Sequence, residues 1–307
     1  MDIVIFIVAM GALIYGADFI IEESEKIAHH YDISPFIIGA TLVALGTSLP
    51  EMAVSMSASL QGSGDIAVAN VIGSTIFNIS LVLGVVFLIA KKISPNRDLF
   101  AKDSAWSLFP ILIFILMSLD GKLSMLDGFL FLLLMAGYLI FLIQSNQVDE
   151  VDNEEHKEEF AWGKTSGLLF VGFLFVVFGA DFAIDSASNI ARDFGVSEWL
   201  IGLFLVAFGT SLPELTVAIK AARANNADMA IGAIIGSNVA NFTMVLGLSS
   251  IINPLNVDLN ANFFDIIAAL IVSVMLVFIT ANKLYNKSAG IVLLTVLVLV
   301  ISNSFNI

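Results

Sequence analysis

The sequence predicts an all-α integral membrane protein with ten transmembrane helices, arranged as two inverted five-helix repeats in which helices 2 and 7 are broken. Three observations lead to this fold class. Apolar runs recur along the whole chain, one acidic linker divides them into five and five, and the second group repeats motifs of the first. Of the 307 residues, 58% are hydrophobic and only 13% are charged. So few charges could not cover the surface of a soluble protein.

The apolar runs are long enough for helices that cross a hydrocarbon core, which takes about 20 residues. The first run starts at Asp2 with no basic segment before it, so we expect a retained span rather than a cleaved signal peptide. In chain order, the predicted spans cover residues 2–28, 35–60, 65–90, 103–120, 124–145, 164–190, 198–222, 227–252, 260–282 and 286–305.

The acidic stretch between the fifth and sixth spans sets the domain organisation. Residues 146–163 contain a cluster of Asp and Glu side chains, and such a charge run is typical of a solvated segment. We therefore expect a first five-helix repeat over residues 1–145, an acidic linker over 146–163, and a second five-helix repeat over 164–307.

Basic residues predict the orientation of the spans. Loops that join an odd-numbered span to the next even-numbered one hold, with their flanks, eleven of the thirteen Lys and Arg residues; the other loops need hold only Lys122 and Arg192. Cytoplasmic loops are enriched in Lys and Arg. We therefore expect both termini on the extracytoplasmic side of the cell (inner) membrane, and the linker in the cytoplasm.

Composition excludes several classes of function. The chain has no cysteine, so it can form no disulfide, thiolate metal site or thiol nucleophile. Its net charge of −14 argues against a nucleic-acid partner. We expect the lipid bilayer as its environment, no cofactor, no enzymatic activity and no protein partner.

An internal repeat relates positions that lie 163 residues apart. The string Gly-Thr-Ser-Leu-Pro-Glu ends at Glu51 in the first copy and at Glu214 in the second. The repeated motifs extend over residues 39–84 and 202–247. Because each copy has five spans, an odd number, the second enters the membrane in the opposite sense. Inverted repeats of this kind are typical of transporters, whose binding sites lie near the middle of the membrane.

The repeated string predicts a broken helix. Gly46 and Pro50 interrupt an apolar span, and Pro50 cannot donate a backbone hydrogen bond to the carbonyl of Gly46. Unpaired backbone groups are tolerated in a membrane only where protein or a wet cavity satisfies them. Thr47 and Ser48 add hydroxyl groups, and Glu51 follows them on the same helical face.

A carboxylate in the middle of a span requires compensation, because its burial in lipid is unfavourable by a few kcal/mol or more. No Lys or Arg lies in the broken span that contains Glu51, so a bound cation is the expected partner of Glu51 and, through the repeat, of Glu214. Spans 3 and 8 add a Ser and an Asn one turn apart, and Gly73 and Gly236 predict close helix packing there. Carboxylate, amide, hydroxyl and carbonyl oxygens are the ligands that calcium prefers.

These strings resemble the two alpha-repeats of the calcium/cation antiporter superfamily. The two Gly-Thr-Ser-Leu-Pro-Glu strings, with Gly-Ser-Thr-Ile-Phe-Asn and Gly-Ser-Asn-Val-Ala-Asn after them, are most similar to the prokaryotic sodium/calcium exchanger branch. The resemblance implies that calcium is bound by Glu51 and Glu214 with the carbonyls of Thr47 and Thr210. It also implies sodium sites formed by the same glutamates, the hydroxyls of Ser48, Ser74, Ser211 and Ser237, and the carbonyls of Ala44 and Ala207. Asn78 and Asn241 would line the site, next to water or an ion.

The resemblance further implies a mechanism. Family members exchange three sodium ions for one calcium ion by alternating access, which is electrogenic. Spans 2, 3, 7 and 8 would form a fixed core, past which the long spans 1 and 6 would slide. Some relatives, including potassium-dependent exchangers, carry Asp where this chain has Asn241, so we expect no potassium co-transport.

Three alternatives stay open at this stage. Proton/calcium exchange through protonation of Glu51 and Glu214 is the nearest. A cation channel is disfavoured by the inverted repeat, since channels usually form a pore around an axis normal to the membrane. An intramembrane aspartyl protease would use Asp18 and Asp181, which also match across the repeat; we favour a structural hydrogen-bonding role for both.

Overall fold

The computed structural model describes residues 2–62, 64–90, 95, 97–99, 103–145, 161–193 and 207–304. Most of the predicted linker, residues 146–160, lies outside these ranges, as does the start of the seventh predicted span. The described helices are α1 (Asp2–His30), α2 (Pro35–Thr47), α3 (Leu49–Leu60), α4 (Gly64–Ile89), α5 (Ser104–Asp120), α6 (Met125–Gln144), α7 (Trp162–Asp193), α8 (Ala207–Thr210), α9 (Leu212–Arg223), α10 (Ala227–Ile252), α11 (Phe263–Ala281) and α12 (Lys287–Ser304).

Helices of membrane-spanning length confirm that this is a multi-pass membrane protein. Six described helices are long and apolar enough to cross a bilayer, namely α1, α4, α6, α7, α10 and α11, and the bent pair α2–α3 makes a seventh. Helices α5 and α12 are apolar but shorter. Each predicted span contains a helix where the chain is described, with described ends that agree within three residues, while the total of ten spans remains a prediction.

Both predicted helix breaks are present. Helices α2 and α3 meet at Ser48 with a bend of 46°. The backbone N–H of Ser48 donates to Ala44 at 3.0 Å, and the next turn resumes when Met52 donates to Ser48 at 3.1 Å. Between them Pro50 has no N–H to give, so the helical ladder cannot run through the break. In the second half, Ser211 separates α8 from α9 with the same near-zero ψ as Ser48.

The two longest helices, α1 and α7, pack against each other through small residues. A Cβ on Gly16 would lie 2.8 Å from the carbonyl oxygen of Gly172, and a Cβ on Gly179 would lie 3.1 Å from that of Ala9. Adding 163 to residues 16 and 9 gives 179 and 172, so the two contacts are equivalent under the repeat. Backbones that approach this closely are typical of membrane helix pairs with Gly at the interface.

Helix α10 runs through the centre of the protein and is buried along nearly its whole length. It packs on α2, where a Cβ on Gly232 or Gly236 would clash with the carbonyl oxygen of Phe36 or Ala40. The close approach predicted for Gly236 is therefore present. For Gly73, its repeat equivalent, the described chain places no atom within 4 Å of such a Cβ.

Two very short strands depart from the all-α prediction. Strand β1 (Lys122–Leu123) pairs antiparallel with β2 (Leu255–Asn256). The pair joins the loop between α5 and α6 to the loop that follows α10, and therefore connects the two repeats at one end of the helices. Each strand has only two residues, too few for any periodicity to predict.

We expect Gly236→Ala to destabilise the protein, because the added methyl group would meet the Ala40 carbonyl in a packed interior. Overpacking of this kind costs about 1–3 kcal/mol. Thermal unfolding in detergent, followed by fluorescence-detected size exclusion, measures it. Gly137→Ala is the matched control, since its Cβ would meet nothing within 4 Å. Equal melting temperatures for the two variants would contradict the packing described for α2 and α10.

Candidate cation site

Glu51 and Glu214 occupy equivalent places at the two helix breaks. Each lies in the first turn of the helix after the break, α3 or α9, directly behind a proline. Glu51 is fully buried and Glu214 is 4% exposed. The helix N-terminus is a favourable position for a carboxylate, because its free N–H groups and the helix dipole attract negative charge.

Serine hydroxyls bind one oxygen of each glutamate. Ser74 on α4 donates to Glu51 Oε1 at 3.4 Å, and its repeat equivalent Ser237 on α10 donates to Glu214 Oε1 at 3.2 Å. Ser48 crosses from the first repeat to the second: its hydroxyl lies 3.4 Å from Glu214 Oε1 and 2.8 Å from the Ser237 hydroxyl. The site is therefore assembled from both repeats.

The two predicted asparagines each lie one turn after a site serine, Ser74 or Ser237, in segments of π-helix. Asn78 belongs to Phe77–Leu83 and Asn241 to Asn241–Val245, both wound as π-helix within α4 and α10. Such wider turns leave backbone groups less regularly paired and occur frequently at functional sites. The Asn78 side-chain amide donates to Ser237 Oγ at 3.2 Å, which links it to the glutamate network.

Several oxygens in this region are buried and have no hydrogen-bond partner among the described residues. They are Glu51 Oε2, Glu214 Oε2, Asn78 Oδ1, Asn241 Oδ1 and the Ser211 hydroxyl. Most buried polar groups in proteins are paired, so a group of unpaired acceptors points to a ligand. Carboxylate, amide and hydroxyl oxygens together match the preference of calcium and other hard cations.

The resemblance also implies four backbone carbonyl ligands, those of Ala44, Thr47, Ala207 and Thr210. The Ala44 carbonyl accepts two hydrogen bonds, from Ser48 N at 3.0 Å and from the Thr47 hydroxyl at 3.3 Å, which occupy its two lone pairs. Thr47 itself is buried, with 1% of its surface exposed. Thr210 is buried at the end of α8. Ala207 is the first described residue of that helix, and its carbonyl stays a predicted ligand.

Sequence reasoning did not single out two residues that contact this network. Asn70 donates to the Glu51 carbonyl at 3.2 Å and to Ser55 Oγ at 2.9 Å, which ties α4 to α3. Asn238 accepts from Asn78 at 3.1 Å. Neither residue has an Asn at its repeat equivalent, Ala233 or Thr75, so the internal repeat could not identify them.

Asp18 and Asp181, the other acidic pair that matches across the repeat, take no part in the hydrogen bonds described above. Asp18 on α1 forms an ion pair with Lys220 on α9 at 2.6 Å, which is a structural role of the kind expected for it. Asp181 is exposed on α7. Among the described residues, no three His, Cys, Asp or Glu side chains form a cluster that could hold a metal. A cation at this site would therefore bind two carboxylates and several neutral oxygens.

Comparison with known proteins gives the family. The family described as sodium/calcium exchanger protein matches residues 1–144 and 164–306 of the chain. The chain belongs to the sodium/calcium exchanger family. The match leaves out residues 145–163, which include the whole of the predicted linker.

Relatives of the same family cover almost the whole chain. The inner membrane protein YrbG of Escherichia coli is 33% identical, over 95% of this chain and 92% of its own. The sodium/calcium exchanger MaX1 of Methanosarcina acetivorans is 30% identical, over 95% of each. A solved structure of the sodium-calcium exchanger NCX_Mj superposes with a TM-score of 0.84 at 32% identity, covering 98% of this chain and 97% of that one. Family and structure together support antiport of cations, including calcium, by this family member.

We expect Ser237→Ala to weaken calcium binding more than Ser74→Ala, although the two serines are repeat equivalents. Ser237 bonds to Glu214, Ser48 and Asn78, whereas Ser74 bonds to Glu51. With about 0.5–1.5 kcal/mol for each hydrogen bond, the dissociation constant should rise about tenfold or more for Ser237→Ala and about threefold for Ser74→Ala. Equilibrium binding of radioactive calcium to the purified protein measures both; equal effects would contradict this asymmetry.

Proposed function

We propose that this family member is a secondary active antiporter that exchanges sodium for calcium across the membrane by alternating access. The observation that carries the proposal is the buried pair Glu51 and Glu214, at equivalent breaks of the two repeats, with unpaired oxygens around them. Two inverted repeats of five transmembrane helices would present this one site to either side of the membrane in turn.

The two carboxylates of the site support a divalent cation as the transported ion. The ion pairs formed by described residues include Lys26–Glu23, Arg97–Asp103 and Lys220–Asp18, and none of those described involves Glu51 or Glu214. One calcium ion neutralises two carboxylates, whereas three sodium ions leave one positive charge. If the family stoichiometry of three sodium per calcium holds, each cycle moves one net charge, and the membrane potential contributes about 2.3 kcal/mol per 100 mV.

Sodium is favoured as the coupling ion by the relatives. MaX1 is named a sodium/calcium exchanger, and the NCX_Mj structure was soaked with sodium and calcium. The Ser48, Ser74 and Ser237 hydroxyls add neutral oxygens that would coordinate monovalent ions without excess negative charge. Proton/calcium exchange is the alternative, in which Glu51 and Glu214 would take up protons in place of sodium.

The packing of α1 and α7 supports a moving pair beside a fixed core. The two helices contact each other along a seam of small residues, and α7 reaches the first helix break, where the Phe173 ring lies against Gly46. The broken helices with α4 and α10 hold every predicted site residue. Movement of α1 and α7 past this core would open the site to one side and close it to the other.

The localisation that follows is the cell (inner) membrane, with both termini extracytoplasmic. The linker over residues 146–163 would lie in the cytoplasm, between repeats 1–145 and 164–307. The distribution of Lys and Arg among the loops supports this orientation.

In proteoliposomes, we expect an outward sodium gradient to drive uptake of radioactive calcium, and Glu51→Gln or Glu214→Gln to abolish it. Each substitution removes a charge from the site but keeps the shape of the side chain. Asp127→Asn is a control carboxylate that belongs to a helix cap on α6 and should leave transport intact.

Imposing a sodium gradient and a pH gradient separately identifies the ion that is coupled to calcium transport. Uptake driven by a pH gradient without sodium would replace sodium/calcium exchange by proton/calcium exchange, and transport that survives Glu214→Gln would refute the assigned site. With sodium and calcium gradients fixed, a membrane potential imposed by potassium and valinomycin should alter the initial rate. No response to potential would contradict the electrogenic stoichiometry.

The inverted topology predicts that equivalent positions face opposite sides of the membrane. Gln61 and Ala224 are exposed repeat equivalents at the ends of α3 and α9. Because the chain has no cysteine, Gln61→Cys and Ala224→Cys each introduce a single reactive thiol. In intact cells, an impermeant maleimide should label the Gln61→Cys variant, and the Ala224→Cys variant only after permeabilisation. Labelling of both from one side would exclude the inverted arrangement.

A further inference from the structure

The two site asparagines, equivalent under the repeat, have different surroundings. Both Asn78 and Asn241 are fully buried. The amide nitrogen of Asn78 donates to two oxygens, Ser237 Oγ at 3.2 Å and Asn238 Oδ1 at 3.1 Å. For Asn241, neither the nitrogen nor the oxygen of the amide has a hydrogen-bond partner in the described part of the chain.

Asn238 explains why the amide of Asn78 is held by hydrogen bonds. It is 1% exposed and lies next to Ser237 on α10, so the two residues present adjacent acceptors to the Asn78 amide. A side-chain amide has two N–H protons, and both are used here. Since the amide is planar, its oxygen then points away from these acceptors. That oxygen, Asn78 Oδ1, is buried and unpaired in the described structure.

Thr75, the residue equivalent to Asn238 in the other repeat, does not hold the amide of Asn241 in the same way. It lies one residue after Ser74, and its hydroxyl donates to the Val71 carbonyl of its own helix at 2.9 Å. In the described structure, no hydrogen bond joins this hydroxyl to the Asn241 amide. No residue in the described part of the chain therefore holds Asn241 in the way that Asn238 holds Asn78.

We infer that Asn238 is a positioning residue that holds Asn78 with its oxygen directed at the transported cation. This inference rests on the proposed exchange function and adds a residue to it. An unconstrained amide can present either its oxygen, which attracts a cation, or its NH₂ group, which repels one. By accepting from the NH₂ group together with Ser237, Asn238 favours the orientation in which the oxygen of Asn78 faces the ion, and such preorganisation increases affinity. Asn78 is then a preset ligand, while Asn241 adjusts to the ion that is bound.

The test replaces Asn238 with the residue of the other repeat. Asn238→Thr should raise the KM for calcium in sodium-driven uptake, and the calcium dissociation constant of the purified protein, by about three- to tenfold, the effect of losing about one hydrogen bond. The maximal rate should change by less than about twofold, because positioning acts on binding. Thr75→Val is the matched control at the equivalent position and should leave both constants unchanged.

A double-mutant cycle separates positioning from packing. If Asn238 acts through Asn78, then Asn238→Thr should have no further effect on the calcium dissociation constant in an Asn78→Ala background. Equal effects in both backgrounds, or an unchanged constant in the single variant, would overturn the inference. Size exclusion establishes that each variant is folded. If Asn238→Thr is not, Asn238→Ser, whose shorter side chain does not reach the Asn78 amide, carries the same expectations.

Failure of this inference and failure of the proposed function give different results. Wild-type protein that shows no sodium-dependent calcium uptake overturns the function, and calcium binding then still decides the role of Asn238. Wild-type protein that transports calcium while Asn238→Thr keeps the wild-type KM and dissociation constant overturns the inference alone.

Discussion

The burial of two carboxylates, with no cationic side chain paired to either in the described structure, is the constraint on which the rest of this protein depends. Glu51 and Glu214 are both buried inside a membrane protein, where an isolated charge is costly. Each is placed at a helix N-terminus by a break that a proline enforces, and one of its oxygens is hydrogen-bonded by serine. These features compensate for burial only in part. The remaining oxygens are unpaired in the described structure. Under the proposed function the transported cation completes the charge balance, which would link ion binding directly to the stability of the core.

The features that sequence could predict are those that follow from local chemistry. Gly46 and Pro50 predict a break because the hydrogen bond that they interrupt spans only four residues. Glu51 and Ser74 could be assigned because each recurs 163 residues later, and the predicted spans match the described helices because apolar length is a local property. The family assignment follows from the same strings, since they are specific enough to resemble one superfamily.

The features that sequence missed depend on contacts between distant segments. Nothing near Ser48 indicates that its hydroxyl binds Glu214 and Ser237, which lie in the other repeat. The π-helical turns at Asn78 and Asn241 lie inside continuous apolar helices, where no sequence pattern marks them, and two-residue strands have no recognisable pattern. A comparison of the repeats also conceals residues that differ between them, as Asn238 does from Thr75, so the part of the site that breaks the symmetry could be found only in the folded protein.

The glycine seam between α1 and α7 has a consequence for coupling. Where the backbones meet at Gly16 and Gly172, and again at Gly179 and Ala9, side chains such as Phe175 and Ile20 pack closely against the glycines, and separating the helices would leave a gap at two points. Under the proposed mechanism, the pair would therefore move as one rigid unit. A rigid unit that tilts lowers one end as it raises the other, so the two entrances to the site would not open together. Leakage of sodium and calcium down their gradients would then be prevented by this geometry, without a separate gate on each side.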